Sequence, residues 1–255
     1  MLRQFPLTPS AGKRLIARAL TQHPAVERVL RDGRVAIVAG TTTGYVAEEI
    51  LKKIGQSIGF VRKGFHRGLT VSPAAIPSRP SAGGEADAFR GDVVIVKGVW
   101  QRAATIFGVA AELDENDLIL KGANALDLGA GEAATFVDHP DGGPMAAVWP
   151  AVFGRRIPLL IPVGVEKRVP GPLSALTRRL AASDARGPRL ALMPGQVFTE
   201  LDAVTALTGA RAELSGAGGV AGAEGCAWLA IEGDATQLDG VERLLREVLL
   251  EPAFQ

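Results

Sequence analysis

RVAIVAGTTTGYVAEEILKKIG, residues 34–55, is the stretch on which the reading of this chain turns. VAIVAG (35–40) is a continuous apolar run, as expected of a strand buried on both faces. A helix is expected from Gly44 to about residue 54, with Val46, Ile50, Leu51 and Ile54 on one stripe. Between strand and helix stand Thr41, Thr42 and Thr43, flanked by Gly40 and Gly44. A helix start leaves backbone N–H groups without intrahelical acceptors and carries partial positive charge. Glycines let a ligand approach the backbone, and three hydroxyls add donors. The turn is therefore expected to receive a phosphate or carboxylate at the end of a strand, where ligands of α/β proteins usually bind. The plainer alternative is that one threonine caps the helix and the others fill space. No Gly-Lys-[Ser/Thr] follows, so this is not a Walker loop, and it is not a dinucleotide fingerprint.

Outward from this stretch, strands and helices alternate. A helix is expected over 10–22, capped by Ser10, and a shorter one over 24–31, closed by Asp32-Gly33. DVVIVKG (92–98), DLILK (117–121) and RIPLLIPVG (156–164) read as further strands, the last near a sheet edge because of its prolines. Residues 59–91 are rich in glycine and proline and read as a loop or an excursion across the sheet edge, with Arg62, Lys63, His66 and Arg67 at its start. The expected fold class is α/β, a mostly parallel sheet flanked by helices. SDARGP (183–188) reads as a linker. The domain expectation is therefore an anion- or metabolite-binding domain over 1–182 and a small α+β unit over 183–255. In that unit, strand 189–193, helix 197–208, strands 210–214 and 226–232, and helix 237–249 give the β-α-β-β-α order of a ferredoxin-like domain.

Composition excludes several classes of function. With 28 basic and 27 acidic side chains in 255 residues, no global field favours nucleic acid or an anionic membrane. A single cysteine, Cys226, leaves no intrachain disulfide and suits a cytoplasmic location. The N-terminal residues lack the apolar core of a signal peptide, and no apolar run is long enough to span a membrane. No Cys/His cluster has metal-ligand spacing, and neither metal nor cofactor is expected. The expected partner is a small anionic metabolite, with exposed strand edges leaving room for a homodimer.

GTTT between strand and helix resembles the sugar-sensing domain of DeoR-type repressors. Less closely, it resembles the turn of ribose-5-phosphate isomerase and glucosamine-6-phosphate deaminase, in the wider ISOCOT group that includes CoA transferases. KGANALD (121–127) resembles an acidic segment of that group, with Asn124 where the family has its first acid and Asp127 retained. PLLIPVGVEKRV (158–169) resembles the later strand and its lysine, here Lys167, although the aspartate that often precedes it is missing. The resemblance covers about residues 30–170. It implies that the threonine turn holds a sugar phosphate or similar anion, that the acidic segment contacts hydroxyls or transfers protons, and that the lysine supplies charge. The missing acid argues against carrying isomerase or deaminase chemistry over unchanged. About 30 residues before the turn are too few for a helix-turn-helix, so DNA binding is not carried over.

The residues themselves nominate Asp127, Lys121 and Glu132 as a catalytic set of charge partner and bases. The ligand-binding set is Gly40, Thr41, Thr42, Thr43, Gly44, Lys97, Gly122, Asn124 and Lys167. For Lys97 and Glu132 the plain alternative is a solvated strand end or loop, and for Glu166-Lys167-Arg168 a solvated charge run. His66 and His139 are candidate proton shuttles or ordinary loop residues, and Cys226 reads as a buried structural thiol. The glycine-rich loop 215–226, with Glu224, either covers a ligand or forms a free tip. The chain is thus expected to be an enzyme of the sugar-phosphate isomerase, hydrolase or transferase kind, or a non-catalytic metabolite sensor.

Overall fold

In the computed structural model, which describes residues 1–67 and 91–254, the apolar run of the opening stretch lies at the centre of a sheet. The elements follow in order: β1 (Leu2–Leu7), α1 (Pro9–Leu20), α2 (Pro24–Asp32), β2 (Arg34–Ile37), α3 (Thr41–Lys53), β3 (Val93–Val96), β4 (Val99–Gln101), α4 (Ile106–Val109), β5 (Leu118–Leu120) and β6 (Ala125–Asp127). The second half adds β7 (Glu132–Val137), α5 (Pro144–Trp149), β8 (Leu159–Pro162), α6 (Leu173–Leu180), β9 (Arg189–Met193), β10 (Gln196–Phe198), α7 (Glu200–Thr208), β11 (Arg211–Ala217), β12 (Ala227–Glu232) and α8 (Ala235–Val248).

The main sheet has six strands in the order β10-β8-β5-β2-β3-β4. β10, β8, β5 and β2 run parallel, whereas β3 and β4 are antiparallel. The sheet is therefore mixed. DVVIVKG runs back along β2, and Lys97 and Gly98, with φ of 46° and 75°, then close a tight hairpin into β4. β8 is flanked by β5 and β10 and fully buried, so the edge position expected from its prolines is not what forms. Pro158 precedes the strand and offers its carbonyl to the amide of Ile119, while Pro162 is its last residue. Neither removes a donor from the strand's interior.

The two shorter sheets are antiparallel: β6-β7-β9 and β1-β12-β11. Here the ferredoxin-like expectation for 183–255 meets a different pairing. The five elements exist, but β9 pairs with β7, and β12 takes β1 as its outer neighbour. β10, not anticipated, leads from Gly195 into the main sheet, where a Cβ at 195 would lie 2.6 Å from the Leu159 carbonyl oxygen. Strands on both sides of residue 183 thus share sheets, and one apolar core runs from Leu7 through Ile37 and Ile161 to Val248. α1 packs between α3 and α7, which brings residues 8–13 to the carboxyl ends of the parallel strands. No helix among the described residues is long and apolar enough to cross a membrane.

Candidate functional site

α3 begins at Thr41, three residues earlier than expected, with Gly40 as its N-cap and no side-chain cap bond. The threonines therefore form its first turn. The Thr43 hydroxyl is buried and donates backwards, to the carbonyls of Val38 at 2.7 Å and Gly40 at 3.1 Å. That bond locks the strand-to-helix turn and takes Thr43 out of any cradle of three hydroxyls. The Thr42 hydroxyl is also buried and finds no partner among the described residues. Thr41 is half-exposed. The backbone amides of this turn have no carbonyl one turn back, so the positive end of the helix remains the anion-attracting feature.

Gly122 lies beside this helix start. A Cβ there would sit 4.0 Å from the Thr43 methyl and 3.6 Å from the Pro162 carbonyl oxygen. The chain that leaves β5 therefore carries Lys121 and Asn124 past the α3 terminus. Lys121 is 9% exposed. Its ammonium donates to the Thr135 hydroxyl at 3.3 Å and, weakly, to the Gly122 carbonyl at 3.5 Å, and it has no ion pair among the described residues. Thr135 passes the contact on by donating to Asn124 Oδ1 at 3.1 Å, and the Phe136 amide donates to the same oxygen at 3.0 Å. Lys167, in the turn after β8, donates to the Ala123 carbonyl at 2.8 Å. Desolvation, then the neighbouring Lys167 charge, lowers the Lys121 ammonium to about 8. Desolvation also lowers Lys167, against the pull of Glu166 and with the push of Lys13.

Three further charged groups complete the cluster, and no motif marks them in the sequence. Asp92 is fully buried and accepts the amides of Ala39 and Ile106, both at 2.7 Å. It also takes both guanidinium nitrogens of Arg67. Lys13, in the second turn of α1, reaches to 3.8 Å from Glu166. Glu200, the first residue of α7, is buried and accepts the Val165 amide at 2.9 Å. Gly12 makes room for it, since a Cβ there would overlap the Glu200 carboxylate. Burial, then the nearby Glu166 charge, raises the Glu200 carboxyl far above the usual carboxylate range, so it holds a proton at neutral pH. Four basic side chains, Lys13, Arg67, Lys121 and Lys167, thus stand against the carboxylates Asp92 and Glu166 and a protonated Glu200.

Several expected residues lie elsewhere. β3 is antiparallel to β2, so Lys97, expected at the same sheet edge as the threonine turn, sits at the opposite end, with its amide on the Gly33 carbonyl. Asp127 accepts the Ala130 amide at 3.1 Å in the β6-β7 turn and crowds Gly171. Glu132 faces Asp127 across that hairpin. It stands three residues from Thr135, roughly 10 Å along a strand, so the structure does not gather Lys121, Asp127 and Glu132 into one set. Instead Glu132 lines an open cleft of about 680 Å³ with Arg156, Pro158, Leu159 and Leu192. That cleft is not in front of α3. His139 is on the surface, and Cys226 is a buried thiol. Glu224 is fully exposed, and backbone amides of its own loop, from Glu224, Gly222 and Ala221, lower its carboxyl. Most of the proline-rich excursion, residues 68–90, lies outside the described residues. Compared with known proteins, the chain matches no family model, no curated protein and no solved structure.

Proposed function

We propose that the carboxyl edge of the parallel strands binds a small phosphorylated or carboxylated metabolite and acts on it, as an enzyme of the sugar-phosphate isomerase, hydrolase or transferase kind. One observation carries the reading: the buried positive charge around Lys121 and Lys167 exceeds the negative charge available to neutralise it. A buried charge is costly unless paired. An anion at the α3 terminus supplies the pair, its oxygens accepting from the amides of Thr41 and Thr42 and from the two lysines. The Thr42 hydroxyl, left without a partner at a cost of about 1–3 kcal/mol, gains one from the same ligand.

The chemistry then falls to two groups that titrate away from their ordinary ranges. Lys121, with its lowered affinity for a proton, serves as base or electrostatic clamp, and the protonated Glu200 serves as an acid on the far side of Lys167. The likeness to the ISOCOT group supports this reading, because the threonine turn, 121–127 and 158–169 follow in its order. Its fold-level part rests on the four parallel strands β2, β5, β8 and β10. A cytoplasmic setting and the absence of a cofactor belong to the same reading. A non-catalytic sensor is the second reading, favoured by one fact: neither Asp127 nor Glu132 comes to Lys121.

A thermal-shift screen against sugar phosphates, nucleotides, acyl-CoAs and small dicarboxylates tests the proposal. A raised melting midpoint with one anion class is expected, and Lys121→Met and Lys167→Met should each abolish it. Shifts that persist in both variants would remove the site. Binding without turnover of any bound compound would select the sensor.

A further inference from the structure

The 680 Å³ cleft beside Glu132 is distinct from the cationic cluster and has its own chemistry. Its volume falls within the ordinary range of small-molecule sites, about 300–1,000 Å³. The walls are mainly hydrocarbon and thioether: Val152, Leu159, Leu192 and Met193, with prolines at 158 and 194. Two charged side chains of opposite sign stand at this cleft, Glu132 and Arg156. They do not pair with each other. Among the described residues neither forms an ion pair or a side-chain hydrogen bond with anything else. Opposite charges that share a cleft and remain separate are complementary to a ligand carrying both signs.

The backbone reinforces this reading at Arg156. Its φ is 60°, in the left-handed region where a side chain is strained and glycine is the usual occupant. Gly154 stands only two residues earlier. The Arg156 amide donates to the Val152 carbonyl at 3.1 Å, and the Ile157 amide to Ala151 at 3.2 Å. These bonds hold the turn, so the guanidinium is presented from a fixed, strained backbone and not from a free loop. Across the cleft, Glu132 begins β7 directly after Gly131, whose φ is 66°.

We propose that this cleft is a second ligand site, taking a free α-amino acid with a large apolar side chain. Arg156 receives the carboxylate, Glu132 the ammonium, and the Leu159–Leu192–Met193 wall the side chain. The site shares no lining residue with the proposed anion site and stands independently of it.

Isothermal titration of the full chain with leucine, methionine and phenylalanine tests it. The analogues are isopentylamine, which is leucine without its carboxylate, and 4-methylpentanoate, leucine without its amine. At least one amino acid should bind, and both analogues should bind at least tenfold more weakly. Glu132→Gln and Arg156→Gln should each weaken the amino acid at least tenfold. Arg156→Gly removes the charge while relaxing the backbone, so it should lose binding yet unfold no earlier than the parent protein. Any response to phosphate at Lys121 should be unchanged in all three. No heat with any of the three amino acids, single-charge analogues that bind as well as leucine, or binding that survives both charge removals would each overturn the proposal.

Discussion

Lys13 and Arg14 are consecutive residues of one helix, yet they enter two charge clusters built on opposite plans. Arg14 is 7% exposed and meets Glu48 at 2.6 Å, Glu49 at 2.5 Å and Glu251 at 2.8 Å. Arg62 joins from above, 3.0 Å from Glu251 and stacked 3.8 Å over the Tyr45 ring. Burial opposes the Arg14 charge, but its hydrogen bonds to Glu251 and Glu48 more than offset it, and its pKa is raised. Each charge there has a partner. One residue earlier, Lys13 enters the cluster with Lys121 and Lys167, where desolvation wins and lysine pKa values fall. The paired cluster straps the C-terminal residues onto α1 and α3. The lysine-rich one holds more basic than acidic groups, and it is this surplus on which the proposed anion site rests.

That contrast can be broken by substitution, and the largest effect belongs to the paired side. Arg14→Met removes the buried cation shared by three carboxylates, leaving them only Arg62 and Lys52, and should cost about 3 kcal/mol in urea denaturation. A loss under 1 kcal/mol would show that the network is ornamental.

The unpaired side should respond to pH instead. Lys121 is lowered from 10.5 to about 8, so between those values the folded protein binds fewer protons than the unfolded chain. Stability should therefore rise with pH across that window, by up to about 3 kcal/mol, as the cost of burying the ammonium is relieved. Lys121→Met should lack that rise when the two proteins' denaturation midpoints are compared at pH 8 and pH 10. Parallel pH profiles would place Lys121 in water.

Asp92→Asn keeps an acceptor for one amide but loses the charge facing Arg67. A cost of about 2 kcal/mol is expected. Thr43→Val removes the two backward bonds that hold the α3 turn, and about 1 kcal/mol should be lost in thermal unfolding without loss of anion binding. A threonine-dependent anion response would instead return Thr43 to the ligand.

Local patterns were legible in the sequence, and long-range pairings were not. The apolar run at 35–40 is a central strand, β5 is its parallel neighbour and β8 the next parallel strand beyond, and Lys121 and Lys167 do stand at the same sheet edge. Each follows from composition over a few residues. The direction of β3 against β2 depends on the long connection before it, which carries no directional signal in its sequence, so Lys97 is expected at the edge opposite to the one it occupies. The pairing of β9 with β7 and of β12 with β1 has no local signature, since an exposed strand edge accepts any partner of suitable register. Lys13, Asp92 and Glu200 were hidden for the same reason. Only the packing of α1 against α7, and of Ile106 over Ala39, brings them to the site.

The pairing of β1 with β12 has a consequence for synthesis on the ribosome. Residues 2–7 emerge about 220 residues before the strand they bond to, residues 227–232. At roughly 5–20 residues per second, β1 waits tens of seconds with its hydrogen-bonding edge open. β10 closes the main sheet only after residue 196. Between those events the nascent chain carries unsatisfied strand edges, so its folding during synthesis should lean on holdase chaperones.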